Sequence, residues 1–237
     1  MSGSITGTYA QYCVCNLSQV HHLPESIDAA QGASIGIAYR TAYRALHLRA
    51  KVRAGQIVLI HGASGGVVLV AVQLAAAHGC IVYGTAGTEE GMKLIKEHGC
   101  DYAFNHRQKG YMDDIYETTG KREGVDVILE MLANVNLNED LKIMARGGVV
   151  AVIGNRGNVE INPRLLMQKE SSVLGVLGGT PEEHQQCFAG INAGLKSGAI
   201  NPVVATPAYM MEQASIAHTS VMDDTQGSAG KVVLITK

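Results

Sequence analysis

The amino-acid sequence predicts an α/β fold built on a doubly wound parallel sheet. The apolar run IVLI (57–60) and the largely apolar run VDVILEM (125–131) are typical of strands that are buried on both faces. Between these runs, apolar residues recur at spacings of three and four, as they do in amphipathic helices. Strands and helices that alternate in this way form a parallel sheet covered by helices on both sides.

The same alternation assigns the elements in chain order. We predict strands at 56–60, 80–85, 102–104, 125–131, 148–154 and 171–176. We predict helices at 67–78, 88–98, 111–119, 137–145 and 181–197. Gly79 should end the first helix, and Thr88 should cap the second because Glu89 and Glu90 follow it in the first turn.

Three segments follow from this pattern. Residues 35–199 are predicted to form the doubly wound domain, and residues 1–34 and 200–237 do not fit it. These flanks contain strand-like pieces, TYAQYCVC (8–15) and KVVLIT (231–236), and a helical pattern near 211–219. We interpret the flanks as parts of a second, β-rich lobe.

Composition excludes some classes of protein and favours others. The 237 residues are 46% hydrophobic and carry a net charge of −2, which gives no electrostatic reason to expect nucleic acid or an acidic membrane as partner. Five irregularly spaced cysteines favour a reducing compartment, and no cysteine or histidine cluster suggests a metal site. There is no signal-peptide pattern and no apolar run of the ~18 residues needed to span a membrane, so we expect a soluble cytoplasmic protein.

A glycine-rich turn after the first predicted strand indicates a dinucleotide site. The segment ASGGVV (63–68) lies between a strand and a helix, where backbone N–H groups at the helix start attract a pyrophosphate. Ser64, Gly65 and Gly66 are the phosphate-facing candidates of this Rossmann turn. Val68 occupies the position of the third glycine, which normally lets the helix pack closely on the sheet. Overpacking costs on the order of 1–3 kcal/mol, so we expect weakened but not abolished cofactor binding.

The end of the second predicted strand favours NADPH over NADH. An NAD site usually has a carboxylate there to bind the ribose 2′-OH, but this strand ends in TAG (85–87). A 2′-phosphate can therefore enter, and His106, Arg107 and Lys93 are candidates for holding it. Alternatively, His106 only ends a strand and Lys93 is a solvated helix residue.

Several longer strings resemble one family. They span residues 29–172 and are AAQGASIGIAYRTAYRAL, VLIHGASGGV, GTAGTEEG, FNHR, EMLANVNL, IGNRG, EINPR and KESS. The sequence resembles the NADPH-dependent quinone oxidoreductases of the zeta-crystallin type, in the medium-chain dehydrogenase/reductase superfamily. The resemblance implies a Rossmann domain beside a GroES-like catalytic lobe, a small quinone bound near the nicotinamide, and no metal. Residues 7–28 resemble an internal part of that lobe, most of which family members carry further upstream.

The resemblance also implies a set of cofactor contacts, a homo-oligomeric state and RNA binding. The implied contacts run from the pyrophosphate turn to the nicotinamide end and are Ser64, Gly65, Gly66, Val67, Gly87, His106, Asn136, Ile153, Gly154, Asn155, Arg156, Val176 and Leu177. The segment after Val176 is about two residues shorter than in the family. Asn136 has the alternative role of capping a helix that begins at residue 137, and Arg156 that of a surface cation. The family forms homo-oligomers through its Rossmann lobes, and it is known for binding AU-rich RNA.

Two functions remain open from the sequence. The first is an NADPH-dependent quinone oxidoreductase, for which no side chain is identifiable as an acid or a base. Tyr39 and Tyr43 lie in the YRTAYRAL helix, where a spacing of four is more often a packing feature. The second is a non-catalytic NADPH-binding protein with a structural or RNA-binding role, although no basic stripe or aromatic platform for RNA is visible.

Overall fold

The computed structural model describes residues 7–62, 65–206, 208–222 and 230–236. At its centre lies a six-stranded sheet in the order β3-β2-β1-β4-β5-β6, in which all neighbouring strands are parallel. The strands are β1 Ile57–Ile60, β2 Ile81–Ala86, β3 Tyr102–Asn105, β4 Val125–Glu130, β5 Met144–Val152 and β6 Ser172–Gly175. The predicted doubly wound fold is confirmed, and its order reverses between β1 and β4, where such folds bind ligands.

Helices cover both faces of this sheet. They are α1 Ala29–Tyr43, α2 Gly66–Ala77, α3 Glu89–Glu97, α4 Tyr111–Thr119, α5 Ala133–Ile143, α6 Pro163–Lys169, α7 Pro181–Ser197 and α8 Ala214–Met222, and a π-helical segment, Arg44–Arg49, continues α1. One core lies between the sheet and α1, α2, α3 and α7, and includes Leu46, Val72 and Ile191. The second core lies on the other face with α4 and α5, and includes Ile115 and Leu141.

The predicted helix boundaries are confirmed at several caps. The side chain of Thr88 accepts a hydrogen bond from the backbone N–H of Gly91 at 3.0 Å. Gly79 follows α2 with a φ of 81°, a conformation that favours glycine and ends the helix. Helix α7 begins with Pro181 after the cap residue Thr180, as the sequence pattern indicates.

The region around α5 differs from the prediction. Helix α5 begins at Ala133, four residues before the predicted start at 137, and ends at Ile143. Strand β5 begins at Met144, four residues before the predicted start at 148. Met144 pairs with Val125, and the ladder is irregular between this pair and the next. Gly147 has a φ of 73° and accommodates this irregularity inside the strand.

The flanks contain less strand than predicted. Residues 8–15 form no strand, and Tyr9, Tyr12 and Val14 are exposed. In the described part of the C-terminal flank, β7 Tyr209–Met210 pairs with β8 Leu234–Ile235, with α8 between them in the chain, and Val204 forms an isolated bridge with Lys231. Helix α1 runs through residue 35, where the sequence pattern placed a domain boundary. Among the described residues, no helix has the length and apolar character to cross a membrane.

Candidate dinucleotide site

The turn after β1 brings the start of α2 to the carboxyl edge of the sheet. Gly65 is the N-cap of α2, and its N–H donates to the carbonyl oxygen of Gly62 at 3.1 Å. Gly66 begins the helix, and a Cβ on it would lie 3.1 Å from Cδ of Lys231, so this backbone is approached closely. Ser64 lies outside the described residues. The first N–H groups of α2 and its dipole thus point to the edge where a pyrophosphate is expected.

Val68 is accommodated in the core below this turn. Its side chain is 3% exposed and packs with the residues between α2 and the sheet. The valine therefore occupies space that a glycine would leave to the closer approach of helix and strand. The weakened cofactor binding expected from this substitution stays a prediction.

The ends of β2 and β3 meet at Gly87. A Cβ on Gly87 would lie 2.9 Å from Nε2 of His106 and 2.9 Å from Nε of Arg107, so both side chains cover the glycine. His106 Nδ1 lies 3.4 Å from Oγ1 of Thr85, a hydroxyl that also accepts a hydrogen bond from Gly62 N–H. The two predicted basic residues are therefore brought together beside the carboxylate-free end of β2.

Electrostatics distinguishes the three basic candidates. Partial burial is the main cause that lowers the pKa of His106, and the positive charges of His61 and Arg107 lower it further. The ring is therefore neutral near pH 7. The positive charge at this end then comes from Arg107. Lys93 is 79% exposed and lies 3.9 Å from Glu97 on the same helix, which supports the alternative of a solvated residue.

The loop after β5 is hydrogen-bonded to the end of β4 and to the loop that follows it. The carbonyl oxygen of Glu130 accepts hydrogen bonds from Ile153 N–H at 2.8 Å and from Gly154 N–H at 3.2 Å. Gly154 returns a bond, because its carbonyl oxygen accepts from Ala133 N–H at 3.0 Å. A Cβ on Gly154 would collide with the carbonyl oxygen of Met131. Only glycine therefore fits where these two loops meet.

Asn136 and Arg156 have structural partners near these loops. Asn136 lies inside α5, and its Nδ2 donates to Oε1 of Glu130 at 3.3 Å, so the alternative in which it caps the helix is wrong. The backbone N–H of Arg156 donates to Oδ1 of Asn134 at 2.9 Å, and its side chain is exposed. The alternative of a surface cation therefore remains open for Arg156.

The remaining predicted contacts lie at the same edge but differ in exposure. Val176, just after β6, is buried and donates its N–H to the carbonyl oxygen of Val152 at 2.9 Å. Leu177 is 94% exposed and extends from the edge. Asn155 is exposed, and its amide donates to the carbonyl oxygen of Gly157 at 2.7 Å.

A buried ionisable cluster beneath the turn was missed by the sequence reasoning. His61, Glu130 and Asp140, here called the buried triad, are each at most 3% exposed. His61 Nε2 lies 2.8 Å from Oδ1 of Asp140 and 3.6 Å from Oε2 of Glu130. Glu130 Oε1 accepts from the backbone N–H of Leu132. The signal was available, because each of these polar residues stands in an otherwise apolar strand or helix face.

The triad's members influence each other's protonation. Burial, and then the negative charge of Asp140, raises the pKa of Glu130 to about 7, although His61 opposes the shift. Burial alone would lower the pKa of His61, but the carboxylates of Asp140 and Glu130 outweigh it and raise that pKa. Glu130 and His61 therefore hold protons that the same groups would release in water.

An open groove lies beside the turn. It encloses about 2080 Å³ between α1, α7, α8 and the C-terminal strand, with Gly66, Val67 and Lys231 at its inner end. Tyr39 is buried in the core, and Tyr43 packs against Gly190 of α7. Both tyrosines are therefore packing residues, and neither lines the groove.

The site defines a class of protein. A parallel Rossmann sheet with a glycine turn and a carboxylate-free ribose end is the dinucleotide-binding half of a dehydrogenase-type oxidoreductase. Residues 66–192 match the family described as zinc-binding dehydrogenase. The chain is 49% identical to the quinone oxidoreductase of Pongo abelii over 236 residues, 99% of this chain and 71% of that protein. The human quinone oxidoreductase is 48% identical over the same lengths. The chain belongs to the quinone oxidoreductase family of the zeta-crystallin type.

Two solved structures have a fold similar to that of this chain. The quinone oxidoreductase of Escherichia coli, solved in complex with NADPH, matches with a TM-score of 0.83 and 25% identity, over 96% of this chain and 71% of that one. The structure of AibC matches with a TM-score of 0.86 and 33% identity, over 98% of this chain. The chain spans 63% of the length of AibC, slightly less than two thirds.

A catalytic zinc does not fit the groove. Among the described residues, one cluster has the donor set of a metal site, and it is the buried triad, whose ligand atoms lie within 4.8 Å of one another. All three side chains are sealed beneath the turn. A metal held by these three buried side chains could not contact a substrate in the groove.

Proposed function

We propose that the chain binds NADPH along the carboxyl edge of the sheet and passes its hydride to a quinone in the groove. The observation that carries the proposal is the arrangement around Gly87. Strand β2 ends at Ala86 and is followed by Gly87, without a carboxylate, and His106 and Arg107 both lie against that glycine. A 2′-phosphate there would meet a guanidinium and an imidazole instead of a repelling carboxylate.

The rest of the cofactor follows the same edge. The N–H groups at the start of α2 would bind the pyrophosphate, with Gly65 and Gly66 allowing its close approach. The loops that contain Ile153 and Gly154 would then flank the path toward the nicotinamide, and Val176 would close it. The related E. coli enzyme was solved with NADPH, which supports this assignment.

The chain's own residues would bind, orient and partly desolvate the reactants. The reduced nicotinamide supplies the hydride, so the protein has to position its ring beside the quinone and limit the access of water. The groove's inner end, at Gly66 and Val67, is the position from which a quinone could approach. No side chain of the described groove needs to act as an acid or a base in this proposal.

The large volume of the groove favours a second candidate function. Pockets that bind small molecules usually enclose roughly 300–1,000 Å³, and this groove is about 2080 Å³. A site this open would exclude water poorly, which slows hydride transfer without preventing cofactor binding. The second candidate is therefore an NADPH-binding protein that turns over little or no quinone.

One pair of measurements separates the two candidates. NADPH binding is measured by fluorescence titration, and turnover is measured with NADPH and a simple ortho-quinone. Saturable binding with quinone-dependent NADPH oxidation supports the enzyme. Saturable binding without oxidation supports the second candidate, and no binding contradicts both.

We further propose that the chain forms homo-oligomers. Large apolar side chains are exposed in both flanks, including Tyr12 at 90%, Leu17 at 88% and Met222 at 81%. Exposed apolar patches promote association. Sedimentation equilibrium tests this, and a monomer at all concentrations would contradict it.

A further inference from the structure

The buried triad connects the three loops that line the candidate site. His61 directly precedes the dinucleotide turn, Glu130 ends β4, and Asp140 lies on α5. Glu130 alone joins two of these loops, because its backbone oxygen accepts from Ile153 N–H and its Oε1 accepts from Leu132 N–H. Movement of the Glu130 side chain would therefore release the backbone N–H of Leu132 at the edge where the cofactor is proposed to bind.

The triad is incompletely satisfied when both carboxyl groups are ionised. Glu130 Oε2 and Asp140 Oδ2 are buried and have no hydrogen-bond partner among the described residues. Two carboxylates and one imidazolium would also leave a net negative charge sealed from water, which is strongly unfavourable. One additional proton between the two carboxyl groups neutralises the triad and supplies the missing donor.

We propose that the triad acts as a proton-sharing positioning unit, in which one proton held between Glu130 and Asp140 keeps the dinucleotide turn competent to bind NADPH. The inference rests on the proposed NADPH site. Loss of that proton would place a second negative charge beneath the start of α2, where the pyrophosphate is also negative. Ionisation and cofactor binding would therefore oppose each other, and by linkage NADPH binding would take up a proton.

The neighbouring ionisable groups do not replace the triad in this role. Tyr111 faces it from α4, and burial, together with the charges of Asp140, Glu130 and Glu139, raises the pKa of Tyr111 to about 12. His106 faces it from the end of β3, and its pKa is lowered. Both groups stay neutral between pH 7 and 9, and Glu139 is an exposed carboxylate paired with Lys142. Within the triad the pKa of Glu130 is raised to about 7 and that of His61 is also raised, so the triad is the part of this set that changes charge as the pH rises.

The test is the pH dependence of NADPH binding. The full chain is titrated with NADPH by fluorescence from pH 6.5 to 9, above the second ionisation of the 2′-phosphate near pH 6. We expect the dissociation constant of the wild-type protein to rise about fivefold as the triad loses its proton, the order of effect of one added charge at an intermediate dielectric.

Two variants provide the comparison. Glu130→Gln keeps an acceptor for Leu132 N–H and gives Asp140 a permanent donor, so it should bind NADPH with little dependence on pH. Glu139→Gln makes the same charge change one residue away from Asp140 at an exposed position, and it should follow the wild-type profile. A purely structural role of Glu130 would not flatten the profile.

A second measurement keeps the inference testable if Glu130→Gln does not fold. Calorimetric titration of the wild-type protein in buffers of different ionisation enthalpy reports proton uptake on NADPH binding near pH 7.5, and we expect a fractional uptake. Binding with a flat pH profile and no proton uptake would overturn the inference alone. One equivalent of tightly held divalent metal, found by elemental analysis, would also overturn it, because the carboxylates would then be metal ligands. No NADPH binding at any pH would overturn the proposed function and this inference with it.

Discussion

Nε2 of His61 lies 2.8 Å from Oδ1 of Asp140, and both side chains are sealed from solvent directly beneath the dinucleotide turn. Helix α5 and strand β1 are thereby joined through a charged hydrogen bond inside an apolar core. Breaking one partner of such a pair leaves the other buried and unpaired, which typically costs about 3–5 kcal/mol. The pair therefore links the stability of the fold to the geometry of the turn.

The stability of the protein should fall as the pH rises from 5 to 8. The native state raises the pKa of Glu130 from 4.5 to about 7, and it also raises the pKa of His61. Both groups then bind protons more tightly in the folded state, so their contribution is fully present at low pH and is lost as the pH rises through the folded pKa. Thermal unfolding should show a melting temperature several degrees lower at pH 8 than at pH 5.

Glu130→Gln should reduce this pH dependence, because its amide does not ionise. Glu139→Gln should leave it unchanged, since that side chain is exposed and pairs with Lys142. A wild-type melting temperature that rises from pH 5 to 8 would contradict the assignment of raised pKa values to the triad.

His106 should contribute to the preference for the 2′-phosphate. Replacing it by glutamine removes a ring that lies against Gly87 and that faces the same space as Arg107. We expect His106→Gln to weaken NADPH binding about ten- to hundredfold and to leave NADH binding nearly unchanged, consistent with the loss of one hydrogen bond to a charged group. Lys93→Gln is the matched control, because Lys93 is exposed and pairs with Glu97. Equal losses for both cofactors would show that His106 does not contact the 2′-phosphate.

Gly154 should tolerate no side chain. Its added Cβ would collide with the carbonyl oxygen of Met131, which is backbone and cannot rotate away. Gly154→Ala should lower the melting temperature by several degrees and weaken NADPH binding, because the loops after β4 and β5 must separate. Gly157→Ala is the control in the same loop, since the nearest atom to its Cβ would lie 3.9 Å away. Similar behaviour of the two variants, measured by thermal unfolding and titration, would argue against a close-packed loop pair.

Val68→Gly should separate cofactor affinity from stability. The substitution allows α2 to approach the sheet more closely, so we expect NADPH binding to become a few-fold tighter. It also removes a buried side chain and introduces a flexible residue into a helix, and together these cost roughly 2–4 kcal/mol. The expected result is tighter binding with a lower melting temperature. Unchanged affinity would mean that the turn has adapted to the valine.

Much of the sheet was predictable because its signals are local. Six apolar runs, a capping threonine and a helix-ending glycine place strands and helices to within a few residues. The start of α5 was misjudged because Asn136 resembles a cap, whereas its amide donates to Glu130 at the end of the preceding strand. The start of β5 was misjudged because Gly147 is part of a strand irregularity and not a break.

The candidate site, too, was only partly predictable from the sequence. The glycine turn and the carboxylate-free strand end are sequence patterns, and the structure brings His106 to Gly87 as the pattern indicated. The buried triad depends on three residues separated by up to 79 positions, so only the folded chain shows that they meet. Residues 8–15 have a strand-like pattern but pair with no strand among the described residues, and pattern alone does not reveal whether a partner is present.

The most direct test of the central claim is a parallel titration of the wild-type protein with NADPH and NADH at pH 7. Because Arg107 and His106 flank a ribose end without a carboxylate, we expect NADPH to bind at least tenfold more tightly than NADH. Equal affinities, tighter binding of NADH, or no saturable binding of either cofactor would contradict the account.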